Sequence, residues 1–169
     1  MGEHVSRMAG YVVTVIMLLL GLFLFMQEFD RTLENNIMDI TMEFVNECQT
    51  TGKIDTENYS LFTKKIYRMG NYTIEMNHKA LVAWPETDAA GAVTGYKEDY
   101  YETSTQDILD QMYTPTEDKN YEMKNGDILT VKVRRRNNPT TSITSAFFGV
   151  DLTNTIVVRY SGTIGNSNQ

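Results

Sequence analysis

Residues with reactive or metal-binding side chains are few in this sequence and lie far apart. The two histidines are His4 and His78, and neither has a histidine, cysteine or carboxylate at a spacing typical of a metal site. We predict that His78, at the end of an alternating segment, is a surface or half-buried strand residue. Glycine-rich phosphate loops and nucleophile-elbow patterns are absent from the sequence. The sequence therefore predicts no catalytic residue, no cofactor and no metal site, and a protein that is not an enzyme.

One acidic cluster could in principle supply an acid/base pair. Glu98, Asp99 and Glu102 lie close together beside Lys97, in a segment predicted to be a loop or a short strand. Because these carboxylates fall in such a segment with a lysine beside them, we predict a solvated rim of the domain rather than an acid/base pair.

One basic stretch, Lys132 together with residues 134–136, could bind an anionic polymer or a lipid headgroup. Neighbouring side chains of a strand alternate between its two faces, so Lys132 and Arg134 are the pair that can share a ligand. Alternatively, these residues form a strand end whose charges offset the acidic remainder. The formal net charge of -7 argues against general nucleic-acid binding, which needs a basic surface.

The first part of the chain is apolar. Residues 9–26 carry no charge, and Tyr11 and Thr14 are their only polar side chains. A run of about eighteen residues approaches the length that crosses a bilayer. A cleaved signal peptide is the alternative, but the run exceeds the usual signal core and no small-residue cleavage site follows it. We predict a tail (1–8), a transmembrane helix (9–26), a lipid bilayer as partner, and a single-pass cell-membrane protein with its N-terminus cytoplasmic.

An amphipathic segment (27–52) follows. Apolar residues recur at helical steps of three and four, at Phe29, Leu33, Ile37, Ile40, Phe44 and Cys48. Proline and glycine are absent from Leu22 to Thr51, and Gly52 is a natural stop, so one helix is predicted from about residue 9 to about residue 50. Cys48 is the single cysteine, which excludes an internal disulfide. We predict a buried, inert thiol, the alternative being a bridge between two copies.

Residues 53–169 are predicted to form an extracytoplasmic α+β domain. Helices are predicted after the capping residues Asp55 and Ser104. Strands are predicted at 72–77, at 81–84 (closed by Pro85), around Tyr100, after the turn at 125–127, and at 154–164. In the strand after the turn, Leu129, Val131 and Val133 are predicted to share one face. A loop is predicted at 87–95 and a short helix or turn at 142–148. The predicted fold class is α+β, with a long N-terminal helix (transmembrane, then amphipathic) packed on a small antiparallel sheet of about four strands.

Several segments carry a family resemblance. The segments are FVNECQTTGKIDTENYSLFTKKIYRMGNYTIEMNH (44–78), YEMKNGDILTVKV (121–133) and the closing FFG and IVVRYSG. They resemble TadE-like and type IV pilin-like proteins (minor pilins or pseudopilins) of Tad-type pili or related secretion and conjugation systems in Gram-positive bacteria. This resemblance covers most of the chain after Phe44. It implies a pilin-like fold, and as partners other pilin-like subunits or secretion-platform membrane proteins, with a possible homo-oligomer.

The resemblance implies a structural or assembly component of a surface pilus or secretion apparatus. One departure concerns the pattern of processed pilins, which have an acidic residue early in the apolar run; Gly10 here is followed by residues 11–15 without one. An accessory subunit is therefore favoured over a major filament subunit. The alternatives are an anchored binding module that recognises a cell-wall or surface ligand through Lys132 and Arg134, and an anchored enzyme.

Overall fold

A helix of 50 residues, α1 (Gly2–Thr51), begins the chain in a computed structural model that describes residues 2–89, 92–114, 120–136 and 157–165. The side chains of residues 2–7, 23, 26, 27, 30 and 157 are not described. The helix ends at Gly52, whose φ of 68° places it in the left-handed region that glycine adopts at little cost. The Gly52 N–H donates to the Cys48 carbonyl at 2.9 Å.

The prediction of a transmembrane helix at residues 9–26 is wrong. In the part of the chain that the structure describes, no helix combines the length and the apolar character that crossing a bilayer requires. The same finding contradicts the predicted single-pass cell-membrane location and the orientation that followed from it.

The chain forms two compact units, Met1–Asn36 and Ile37–Gln169. The boundary between them lies inside α1, whereas the sequence suggested boundaries after residues 26 and 52. The first unit is helical throughout its described length. The second contains the last part of α1 and every described strand.

The second unit is α+β, as predicted, and contains two small antiparallel sheets. The larger sheet has the strand order β3-β2-β5-β6, and its strands are β2 (Tyr72–Thr87), β3 (Val93–Ser104), β5 (Ile128–Arg135) and β6 (Val157–Thr163). The smaller one pairs β1 (Lys53–Asp55) with β4 (Asn120–Glu122). The four-stranded antiparallel sheet confirms the sequence prediction.

β2 is longer than predicted, because it pairs with β5 over Tyr72–Lys79 and with β3 over Asn77–Thr87. The predicted strands at 72–77 and 81–84 are therefore one strand, and the prediction that Pro85 ends it is wrong. The Leu81 N–H points away from β3, since it donates to Asp127. Pro85 has the same parity, so its missing N–H removes no hydrogen bond to β3. The predicted loop at 87–95 is shorter, because Thr87 already pairs with Val93.

The hydrophobic core lies between one face of the larger sheet and the helices. β5 contributes Leu129, Val131 and Val133, each 0% exposed, which confirms their predicted shared face. The last part of α1 contributes Ile37, Phe44, Val45 and Cys48. The helices α2 (Thr56–Met69) and α3 (Thr105–Tyr113) add Phe62, Ile66, Ile108 and Met112.

Both predicted helix caps are present. The Asp55 carboxylate accepts the Asn58 N–H at 2.7 Å at the start of α2. Ser104 and Asp107 form a reciprocal capping box at the start of α3. β6 is described from Val157, so the predicted strand start at 154–156 and the predicted helix or turn at 142–148 lie outside the described residues.

Candidate functional site

Three polar side chains meet inside the second unit. His78 lies on β2, Tyr121 on β4, and Asp127 immediately before β5. Their exposed fractions are 4%, 6% and 2%, so all three are buried. Buried ionisable groups are rare unless they are paired, which makes this group the first candidate for a functional site.

The His78 ring joins the other two side chains. Its Nε2 lies 3.0 Å from Asp127 Oδ2, and its Nδ1 lies 2.7 Å from the Tyr121 hydroxyl oxygen. An ionised carboxylate can only accept hydrogen bonds, so Nε2–H is the donor to Asp127. In the neutral ring, Nδ1 then accepts from the Tyr121 hydroxyl. The two rings also meet edge-to-face, with centroids 5.4 Å apart and planes at 85°.

The Asp127 carboxylate also holds backbone groups. It accepts the Lys124 N–H at 2.7 Å, which closes the turn before β5, and the Leu81 N–H at 2.9 Å. Burial alone would raise the pKa of Asp127, but these two N–H groups and His78 stabilise the carboxylate, and its pKa is lowered. The folded chain therefore favours the ionised form of Asp127.

Tyr121 completes the group. Burial raises the pKa of its hydroxyl above the ordinary value, and the nearby charge of Asp127 acts in the same direction, while a hydrogen bond with Thr103 opposes both. The hydroxyl therefore stays protonated over the physiological range. It can donate to His78 as the neutral ring requires.

This arrangement resembles the orienting part of a proton-transfer site, but it offers nothing to a substrate. Both ring nitrogens of His78 are engaged, and the side chain is 5% exposed. A general base needs a nitrogen within reach of the proton it removes. The group therefore holds strands together, and the prediction of a surface or half-buried His78 is wrong. The turn at 125–127 was predicted, but the pairing of its aspartate with a histidine 49 positions away left no local signal.

Acidification should weaken the fold through Asp127. Its pKa is lower in the folded chain than the value of about 4 expected in the unfolded chain, so the stabilisation is present above about pH 4 and is lost as the pH falls through the folded value. We expect the free energy of unfolding to fall more steeply between pH 5 and pH 3 in the natural chain than in Asp127→Asn. Urea titrations followed by circular dichroism measure both slopes. Parallel slopes would contradict the assignment.

Cys48 is buried, as predicted, at 1% exposure. Burial raises the pKa of its thiol to about 12, and the charges of Glu47 and Asp55 add to this effect. A thiol with so high a pKa forms little of the reactive thiolate near neutral pH. His4, the other histidine, lies where side chains are not described.

The acidic cluster lies on β3, and Glu98, Asp99 and Glu102 are all exposed, as predicted. Glu102 forms an ion pair with Lys79 at 2.6 Å, and this contact lowers the pKa of Glu102. The structure places the cluster on a regular strand of twelve residues, where the sequence suggested a loop or a short strand.

The basic residues Lys132 and Arg134 lie on the face of β5 opposite the core. Arg159 of β6 lies directly opposite Lys132 and adds a basic residue that sequence reasoning did not connect with this stretch. Glu75 of β2 lies opposite Lys132 on the other side, and its carboxylate is 3.5 Å from Arg134. Lys79 of β2 and Glu102 of β3 lie opposite one another on the same face, so basic and acidic side chains are mixed there.

A shallow cleft of about 220 Å³ lies beside this face, lined by Glu75, Met76, Asn77, Ser104, Thr105, Thr130 and Lys132. It is smaller than the roughly 300–1,000 Å³ typical of small-molecule sites. Among the residues that the structure describes, no three histidine, cysteine, aspartate or glutamate side chains converge as metal ligands would.

Comparison of the chain with protein-family models, with curated proteins and with solved structures gives no match.

Proposed function

We propose that this protein is a structural or assembly component of a surface pilus or secretion apparatus, and that it associates with copies of itself through the first part of α1. The observation that supports this is the exposure of apolar side chains there. The large hydrophobic residues between Tyr11 and Leu22 are 50–73% exposed. A helix that is apolar on all sides is normally buried by neighbours.

The extent of the exposed apolar surface favours several neighbouring helices. Burying a side chain the size of valine or leucine contributes about 1.5–3 kcal/mol, and exposed apolar patches of this extent mark interaction surfaces. Since the exposed residues follow one another along the helix, they occupy all of its sides. A single partner helix would leave part of this surface uncovered, so an assembly of several copies fits better than a dimer.

The family resemblance of residues 44–78 and 121–133 supports the same proposal. The binding-module alternative rests on Lys132 and Arg134. It is weakened by Glu75 of β2, which lies opposite Lys132 and has its carboxylate 3.5 Å from Arg134. Charge reversal at both basic residues with assembly intact and ligand retention lost would favour that alternative.

Sedimentation velocity of the purified full chain over a hundredfold concentration range tests self-association. We expect assemblies larger than dimers in the natural chain and a shift of association to higher protein concentration in Leu19→Glu, because a buried unpaired carboxylate opposes helix association. Leu61 on α2 is a matched control, since both leucines are 50% exposed. Leu61→Glu should assemble normally.

A monomeric natural chain, or equal behaviour of the two variants, would contradict the role of α1. Recovery of the protein from its source cells together with a secretion ATPase would support the pilus or secretion assignment. Recovery of self-assembled protein without any such component would count against that assignment.

A further inference from the structure

β3 is an edge strand of unusual length and exposure. It is twelve residues long, and among the described residues no strand pairs with the side of β3 that faces away from β2. All of its residues from Tyr96 to Glu102 are exposed, on both faces of the strand. Such an edge is a template for another strand unless the protein restricts access to it.

The hydrogen bonds identify which backbone groups of β3 face outward. Leu81 lies opposite Tyr100 and points its N–H away from β3, toward Asp127. Directly opposed residues of an antiparallel pair either exchange both hydrogen bonds or point both away, so Tyr100 faces outward. Tyr96, Glu98 and Glu102 have the same parity. The Tyr100 N–H is held by the Asp99 carboxylate at 2.8 Å, which leaves Tyr96 and Glu98 as the accessible central positions.

β6 is the opposite edge of the same sheet, and its outward positions follow from the same reasoning. The Thr163 carbonyl accepts the Gln49 Nε2–H at 2.7 Å, which shows that odd-numbered residues of β6 point away from β5. Arg159 and Ser161 therefore point outward, and both are exposed. Among the described residues, no strand pairs with this side of β6.

We propose that β3 of one copy adds to β6 of the next, antiparallel, with Glu98 opposite Arg159 and Tyr96 opposite Ser161. This proposal deepens the proposed function and rests on self-association. The two edges have complementary charge at the proposed contact, since Glu98 of β3 is acidic and Arg159 of β6 lies beside Lys132, whereas Glu102 is already paired with Lys79. Charged side chains on an edge strand exclude indiscriminate pairing, so this acidic edge selects a basic strand.

The arrangement continues the alternation of strand directions already present in the order β3-β2-β5-β6. The contact joins two different edges of the molecule, so it is heterologous. It forms a closed ring only if the rotation between successive copies returns to the first copy, and an open series otherwise. Repetition of the contact would extend the sheet from copy to copy. Only an open series of this kind is compatible with a filament.

A charge exchange across the contact tests the proposal. Glu98→Arg and Arg159→Glu each place like charges opposite one another, and each should weaken association of the second unit about tenfold by sedimentation velocity. The double variant Glu98→Arg/Arg159→Glu should recover association to within about threefold of the natural chain. Glu86→Arg is the control, since Glu86 is an exposed carboxylate of β2 on the same hairpin and lies off the edge.

All variants are also measured in the Leu19→Glu background, where association through α1 is weakened. Charge-dependent association that persists there supports the sheet contact by itself. Single variants that associate like the natural chain, a double variant that fails to recover, or a natural chain that stays monomeric would each overturn the sheet contact. If only Leu19→Glu has an effect, the proposed function survives and this contact does not.

Discussion

Replacing Phe44 with alanine should lower the free energy of unfolding by about 3–5 kcal/mol. Phe44 lies on the part of α1 that belongs to the second unit and is 3% exposed. Its ring stacks on Phe62 of α2, with centroids 4.4 Å apart and planes at 9°, and it meets Tyr59 at 6.4 Å. The substitution removes a buried ring, its aromatic contacts and the packing between two helices.

Since the stability of a domain is about 5–15 kcal/mol, this single change should remove a large part of it. Urea unfolding followed by far-ultraviolet circular dichroism measures the loss, and the melting temperature should fall by roughly 10 °C or more. Tyr67→Ala is the control on α2, because Tyr67 is an aromatic residue with 54% exposure, and it should change stability by less than about 0.5 kcal/mol. A loss below about 1 kcal/mol for Phe44→Ala would mean that α1 and α2 do not pack in solution as described.

The features predicted correctly from the sequence are those that a short segment specifies. Asp55 and Ser104 cap helices through hydrogen bonds to residues three positions away. Gly52 ends α1 through its own positive φ, and the alternation of Leu129, Val131 and Val133 places one face of β5 in the core. Each of these depends on neighbours within a few positions, so the local pattern carries the information.

β2 and β3 show why other predictions failed. Beyond Lys79, β2 leaves β5 and continues with β3 alone, in a two-stranded hairpin whose described residues are half-buried or exposed on both faces. A strand without a buried face shows no alternation of apolar and polar residues, so the periodicity used to find strands is missing there. Tyr96, Tyr100 and Tyr101 of β3, for example, are 46–72% exposed.

The membrane prediction failed for a different reason. It rested on the apolar composition of residues 9–26. In the described chain, no helix is both long enough and apolar enough to span a membrane. The apolar composition of residues 8–22 remains, and their side chains are exposed. An apolar helix surface indicates that it is covered but does not identify the cover. The pattern of residues is the same for a lipid neighbour and for a protein neighbour.

Replacing Asp127 with alanine should also destabilise the second unit by about 3–5 kcal/mol, by a different mechanism. The carboxylate accepts hydrogen bonds from the partly buried Lys124 and Leu81 N–H groups and from the buried His78 ring, and its loss leaves all three donors without this acceptor. Urea unfolding at pH 7 measures the loss. Asp39→Ala, which removes an exposed carboxylate of α1, is the control and should have little effect.

A double-mutant cycle separates the two parts of this loss. If Asp127 stabilises the fold mainly through His78, then Asp127→Ala should cost about 1–3 kcal/mol less in a His78→Ala background than in the natural chain. Equal costs in both backgrounds would assign the carboxylate to the turn and to the Leu81 N–H alone. We expect coupling, because the Asp127 carboxylate lies 3.0 Å from Nε2 of the buried His78 ring, and Nδ1 of the same ring is bonded to Tyr121. In that case one hydrogen-bonded unit joins β2, β4 and the turn before β5. His78 is its central member, because losing the ring removes a hydrogen bond from both Asp127 and Tyr121.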